Sequence, residues 1–239
     1  MTSSNAFAKP YPERDTKMNG PEQVFRRIPG EGWLVLAGSN PELGGETADL
    51  MERLLERLDL ARPIAAIAAP DCDPDQVNAL LESLEEWLGV ETGYLELDTD
   101  LEVEGWEESG LLLLEGDDPE LWVDALQGEP LRRLRRAMEQ GGLILAIGGA
   151  AGAFGSHCLS PIRPDRLLPA LEWISESVVV LQPEDAHGEV VRDWIQQEER
   201  RLVLRLEPGS ILALGSGEKV ERWGAAAPEI ILGKGWAEE

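Results

Sequence analysis

The stretch LILAIGGAAGA, residues 143–153, decides the fold. Its first five residues, 143–147, are apolar and have the length and composition of a buried strand. Glycine and alanine follow at once, which is typical of a sharp turn from a strand into a helix, because small side chains let a strained backbone pack closely. The residue at the apex of such a turn presents its side chain above the carboxyl ends of the strands. The stretch therefore predicts a strand, a tight turn and a helix.

Apolar runs alternate with amphipathic stretches on the amino-terminal side of this turn. This alternation is typical of parallel βαβ units. It predicts strands at 33–37, 63–69, 94–97, 111–114 and 143–147, and helices at 46–58, 73–88 and 129–140. Beyond residue 160 the pattern predicts a strand at 178–181, a helix at 189–197, and short strands at 202–206, 211–214, 220–223 and 229–232. The fold class predicted is a three-layer α/β/α sandwich with a mostly parallel, flavodoxin-like sheet and a C-terminal β extension.

Composition limits the partners. The 239 residues carry a net charge of −25, from 46 acidic and 21 basic residues. Such a surface repels phosphates and anionic lipid, so we expect no nucleic acid and no membrane as partners. Residues 1–30 are polar and aperiodic and are expected to form a flexible tail before one domain at 31–239. The absence of a leader pattern and of an apolar run of about 20 residues predicts a cytoplasmic protein.

The two cysteines and the acidic clusters do not predict a metal site or a cofactor. Cys72 and Cys158 lie far apart, and no CxxC spacing is present. Asp71, Asp73 and Asp75 approximate a calcium loop, but Gln76 stands where such a loop needs glycine. Asp73 followed by a proline is better explained as a helix cap. The four arginines at 132–136 are expected to be a solvated helix face paired with carboxylates.

The turn resembles that of the cyanophycinase and dipeptidase E family of serine peptidases, whose flavodoxin-like fold is related to class I glutamine amidotransferase domains. The family turn typically reads Gly-Thr-Ser-Ala-Gly-Ala, with serine as the nucleophile. Aligning the final Ala-Gly-Ala with Ala151-Gly152-Ala153 places Ala150 where the serine belongs. A methyl group cannot attack a carbonyl. The resemblance thus implies that Ala150 marks a lost nucleophile, flanked by Gly149 and Ala151 in the pocket.

Two further segments support the resemblance. Glu115-Gly116-Asp117-Asp118 stands where the family has Gly-Gly-Asp-Gln, and this implies that Gly116, Asp117 and Asp118 line the oxyanion or substrate pocket. The changes at Glu115 and Asp118 add negative charge there. Asp185-Ala186-His187 is similar to the family's Asp-Gln-His run, which implies that His187 is a remnant of the catalytic base.

Three functional hypotheses follow. The first is an inactive or divergent homologue with a ligand-binding or regulatory role. Its expected partners are a small peptide-like ligand and, in a homodimer, a second copy of the chain. The second is an active peptidase or isopeptide hydrolase in which Ser156 or Cys158 attacks and His187 is the base. Both candidates are predicted to lie about one and a half to two turns into the helix after the apex, with His157 on that helix's surface. The third is a structural subunit that pairs with an active homologue.

The turn after the first strand, 38–41, is predicted to face the same sheet edge as Ala150 and to form a wall of the pocket.

Overall fold

The computed structural model describes residues 25, 30–41, 47–89, 92–97, 104–181, 185–217 and 219–236. The tail expected at 1–30 therefore lies outside the described residues, apart from Phe25 and Gly30. Six α-helices are described: α1 (Thr47–Leu55), α2 (Pro74–Leu88), α3 (Pro119–Ala125), α4 (Glu129–Glu139), α5 (Gly149–Gly152) and α6 (Asp185–Gln197). None of the helices in the described ranges is long and apolar enough to cross a membrane.

Twelve strands are described. They are β1 (Trp33–Ala37), β2 (Ile64–Ala68), β3 (Thr92–Glu96), β4 (Leu111–Gly116), β5 (Leu143–Gly148), β6 (His157–Ser160), β7 (Arg163–Pro169), β8 (Ser177–Val180), β9 (Leu202–Arg205), β10 (Ile211–Leu214), β11 (Val220–Arg222) and β12 (Glu229–Leu232). The main sheet has the order β11-β10-β1-β5-β4-β2-β3. Strands β1 to β5 are parallel, and β10 and β11 extend the sheet in antiparallel pairing.

The parallel part of the sheet confirms the predicted fold class. Strands β3-β2-β4-β5 have the relative order of the first four strands of a flavodoxin-like sheet, 2-1-3-4, and β1 stands where the fifth strand would be. Along β4, Leu113 joins the apolar core shared with α1 and α2, whereas Leu112 and Leu114 join the core shared with α4. Since successive side chains of a strand point to opposite faces, helices cover both faces of the sheet.

The predicted C-terminal extension divides between two sheets. Strands β10 and β11 join the main sheet, while β9 and β12 join a second sheet with the order β12-β9-β8-β6-β7. Helix α6 packs on one face of this second sheet through Val191, Trp194 and Ile195. The other face contributes Val179 and Leu204 to the main core. The two sheets therefore share a continuous apolar core.

Candidate functional site

The turn after β5 is built around Gly148. This residue has φ 62° and ψ −133°, a backbone conformation that glycine adopts readily and other residues do not. Helix α5 begins at the next residue and is only four residues long, and Ala150 lies inside it with 0% exposure. Gly148 makes the turn because a residue without a side chain adopts this conformation at the lowest cost. The predicted role of Ala150 as the position of a lost nucleophile stays a prediction.

Helix α5 is pressed against the loop between β4 and α3. A Cβ atom built on Gly149 would lie 2.3 Å from the carbonyl carbon and oxygen of Asp117, and one built on Gly152 would lie 3.1 Å from Pro119. Only glycine at 149 permits this approach of two backbones. The predicted pocket residues Gly116, Asp117 and Gly149 are thus brought together.

The amides of this loop are bound by a carboxylate from the neighbouring strand's loop. Asp71, which follows β2, accepts hydrogen bonds from the backbone N–H of Asp117 at 3.2 Å and of Asp118 at 2.8 Å. Asp118 in turn caps α3 by accepting from Glu120 N at 3.0 Å. The loops after β2 and β4 meet where the direction of winding reverses, the usual position of a ligand in an open α/β sheet. At this position the backbone N–H groups of Asp117 and Asp118 are already bound by the Asp71 carboxylate.

A second contact ties the loop after β1 to the end of β4. Asn40 Nδ2 donates to Glu115 Oε1 at 2.8 Å and to the carbonyl of Gln76 at 3.3 Å. Glu115 is 7% exposed, and its Oε2 has no hydrogen-bond partner among the described residues. Burial raises the pKa of Glu115 to about 7; the hydrogen bond from Asn40 opposes this rise and the Asp117 carboxylate adds to it. The prediction that 38–41 faces the same sheet edge as the turn is confirmed, since Ala37 is in register with Ile147.

Other groups at this edge are also held away from their ordinary pKa values. Burial, and secondly the charge of Asp71, raises the pKa of Asp117. Cys72 donates from Sγ to the Glu115 carbonyl at 3.1 Å. Burial, and then the charges of Glu115 and Asp71, raise the pKa of Cys72 to about 12. A thiol with that pKa carries almost no thiolate at neutral pH and is a poor nucleophile.

The predicted positions of the two replacement nucleophiles are wrong. Helix α5 ends at Gly152, so Ser156 lies in the following turn and Cys158 lies in β6. Ser156 Oγ donates to Ser177 O at 2.9 Å and accepts from Ser177 N at 3.0 Å, which ties it to the first residue of β8. Cys158 is fully buried, and burial followed by the charge of Asp118 raises its pKa to about 12.

The two histidines lie in different secondary-structure elements. His157 is in β6 and not on a helix surface; its Nδ1 lies 3.1 Å from Ser156 Oγ and its ring 5.4 Å from that of Trp194. Burial, and then the positive charge of Arg201, lowers the pKa of His157. His187 belongs to the first turn of α6, and its side chain lies outside the described residues. Its predicted role as a remnant base stays a prediction.

Several residues of this edge were missed by sequence reasoning. The contacts of Asn40 and Asp71 with the β4 loop join residues 75 and 47 positions apart, which no local pattern indicates. The cap of α3 did carry a signal, because Asp118-Pro119 repeats the Asp73-Pro74 pattern that correctly predicted the start of α2.

Within the described ranges, no group of three or more His, Cys, Asp or Glu side chains is arranged to hold a metal ion.

Comparisons with known proteins agree at the level of fold. No family model matches the sequence, and no curated protein matches it either. Among solved structures, the chain is similar to a peptidase from an acI-B1 Actinobacterium, with a TM-score of 0.57 and 15% identity over 86% of this chain and 96% of that one. It is also similar to a putative Peptidase E protein from Listeria monocytogenes EGD-e, with a TM-score of 0.51 and 10% identity over 82% of this chain and 99% of that one. The chain therefore has a peptidase-like α/β fold.

Proposed function

We propose that the chain is a cyanophycinase-like peptidase homologue that does not hydrolyse peptides and instead binds a small peptide-like ligand at the carboxyl edge of the main sheet. The observation that carries the proposal is Ala150. The sequence resemblance aligns it with the family nucleophile, and its methyl group is buried in α5. Acyl transfer needs a hydroxyl or thiolate at that position.

The neighbourhood of Ala150 supports the same conclusion. A peptidase needs backbone N–H groups that point at the developing oxyanion without a competing acceptor. The N–H groups of Asp117 and Asp118, which the resemblance places in the pocket, both donate to the Asp71 carboxylate. A bound carboxylate at the donors also repels a second negative charge.

The alternative nucleophiles supply no substitute. The thiols of Cys72 and Cys158 both have a pKa of about 12. The Ser156 hydroxyl has its hydrogen and an acceptor site engaged by Ser177. Neither thiol carries appreciable thiolate at neutral pH. The Ser156 hydrogen would have to leave its bond to the Ser177 carbonyl before a base could take it.

Labelling with a fluorophosphonate probe tests the proposal, with a serine peptidase of known activity as positive control. We expect no labelling of the wild type. We also expect no labelling of the Ala150→Ser variant, because the new hydroxyl would be buried and the backbone donors would remain bound to Asp71. Efficient labelling of any serine in the wild type would refute the proposal, and strong labelling of Ala150→Ser would show that the surrounding machinery is intact.

Ligand binding needs a separate measurement. Isothermal titration with a set of short peptides should give saturable heat without release of new amino groups. Asn40→Ala, which removes the contact between the β1 loop and Glu115, should weaken that binding. Saturable binding followed by cleavage would contradict the proposal, as would the absence of binding by every peptide tested.

A further inference from the structure

Strand β12 is an end strand of the second sheet with an unusually apolar surface. Its three consecutive large side chains, Ile230, Ile231 and Leu232, are 40%, 37% and 45% exposed. End strands of natural sheets are normally guarded by charges, prolines or bulges, because their free backbone groups pair readily with another strand. Pro228 and Glu229 guard the beginning of this strand and Lys234 follows its end, but residues 230–233 have no such guard.

The backbone of β12 shows which groups are free to pair. Gly233 N donates to Arg201 O at 2.8 Å, and the register of β12 with β9 continues through the Leu232–Leu202 pair. In an antiparallel ladder, hydrogen-bonded pairs alternate with pairs that are not hydrogen-bonded. Ile231 therefore directs its N–H and C=O toward β9, and Ile230 and Leu232 direct theirs away. Among the described residues, nothing accepts from or donates to these outward groups.

The outward groups fit a second copy of the same strand. If two β12 strands run antiparallel about a two-fold axis at Ile231, Ile230 pairs with the partner's Leu232 and Leu232 with the partner's Ile230. The two pairs form four backbone hydrogen bonds. Ile231 then lies opposite the partner's Ile231, so that each apolar side chain meets another, and Glu229 lies opposite the partner's Gly233. These directions also permit registers centred on Leu232 and on Ile230. The first would place Ile230 opposite the partner's Lys234, and the second would place Ile231 opposite the partner's Glu229 and Leu232 opposite the partner's Pro228.

Charge favours the same partner. Two copies of a chain with a net charge of −25 repel each other over most of their surfaces. The segment 223–236, which contains β12, carries one acidic and one basic residue, Glu229 and Lys234, and is neutral. A contact between two copies at β12 avoids facing like charges, which are costly in an interface.

We propose that the protein forms a homodimer in which β12 pairs with β12 of a second copy and joins the two five-stranded sheets. The ladder involves few residues, whereas a stable interface covers about 800 Å² on each partner. We therefore expect a dimer that dissociates on dilution. The proposal does not depend on whether the chain hydrolyses peptides.

The mass in solution is the first test. Light scattering after size-exclusion chromatography should give twice the 26.2 kDa chain mass at high concentration. Ile231→Lys, which would bring two lysines together at the two-fold axis, should give the monomer mass. The matched control is Val220→Lys on β11, an end-strand position of the main sheet that is somewhat more exposed, at 46% against 37% for Ile231; this variant should stay dimeric. A monomeric wild type at every concentration, or a dimer that survives Ile231→Lys, would overturn the proposal.

Cross-linking tests the register and does not require a charge substitution. Opposite residues of a pair that is not hydrogen-bonded have Cα atoms about 4.5 Å apart, within the range of a disulfide. Mild oxidation should therefore link Ile231→Cys into a covalent dimer much faster than Leu232→Cys, with the wild type as the control for Cys72 and Cys158. Equal rates for the two variants, or faster linkage of Leu232→Cys, would contradict the proposed pairing.

Discussion

Glu115→Gln tests the electrostatics of the sheet edge. The Glu115 carboxyl is buried, accepts from Asn40 through one oxygen, and has an unpartnered second oxygen among the described residues. Burial raises its pKa to about 7. Glutamine has nearly the same shape and keeps the acceptor for Asn40, but it cannot ionise. The comparison of the two proteins across pH therefore isolates the cost of the buried charge.

The size and sign of the effect follow from proton linkage. The pKa of Glu115 rises from 4.5 to about 7 on folding, and each tenfold change in proton affinity corresponds to about 1.4 kcal/mol. Because the folded state binds the proton more tightly, the stabilisation is fully present below about pH 4.5 and is lost as the pH rises through about 7. Relative to Glu115→Gln, the wild type should lose about 3 kcal/mol of unfolding free energy between about pH 4 and pH 8.

Urea unfolding of both proteins at a series of pH values measures this difference. The other acidic residues titrate in both proteins and cancel in the comparison. Asn40→Ala is the companion variant: it removes the hydrogen bond that lowers the pKa of Glu115, so the loss of stability should extend to higher pH. A wild-type minus Glu115→Gln difference that does not change with pH, or that grows in favour of the wild type, would refute this description of Glu115.

Two further predictions concern packing and thiol chemistry. Gly149→Ala places a methyl group 2.3 Å from the Asp117 carbonyl and should lower the unfolding free energy by about 3 kcal/mol. The control is Gly188→Ala in α6, where a Cβ meets nothing within 4 Å. This control should raise the unfolding free energy by about 0.5–1 kcal/mol. Equal thermal midpoints for the two variants would show that α5 does not press on the loop. Cys72 and Cys158, each with a pKa of about 12, should react slowly with a thiol reagent in the native protein and rapidly in denaturant. Fast reaction of either thiol in the native protein would contradict these raised pKa values.

The sequence predicted the parallel core of the fold because that core has a strong local pattern. Strands β1, β2, β4 and β5 are continuous apolar runs, and Asp73-Pro74 marks the start of α2 by cap chemistry. The hairpin of β6 and β7 was missed. Its second strand is mostly exposed and contains Arg163, Pro164 and Asp165, so it has no apolar periodicity. Local patterns also cannot tell which sheet a strand joins, and the division of the C-terminal strands between two sheets followed only from the structure.

The candidate site could be predicted only in part for the same reason. The small residues at 148–153 predicted a tight turn at the right position, and the structure shows that Gly148, with φ 62°, makes it. The helix expected through Ser156 ends earlier, at Gly152. A Cβ on Gly155 would lie 2.9 Å from two backbone oxygens, those of His157 and Ser177, which shows how tightly the chain turns back there toward β8. The hydrogen bonds from the Asp117 and Asp118 N–H groups to Asp71 join residues far apart in the sequence, so no local pattern could predict them.

Peptide hydrolysis is the most direct test of the central claim. A mixed set of short peptides, incubated at length with stoichiometric amounts of the wild-type protein and analysed by mass spectrometry, would detect serine- and cysteine-dependent cleavage alike. Our proposal that Ala150 replaces the family nucleophile, together with the donation of the Asp117 and Asp118 N–H groups to Asp71, predicts that every peptide remains intact. Cleavage that persists through repurification and disappears in Ser156→Ala or Cys158→Ala would contradict the claim.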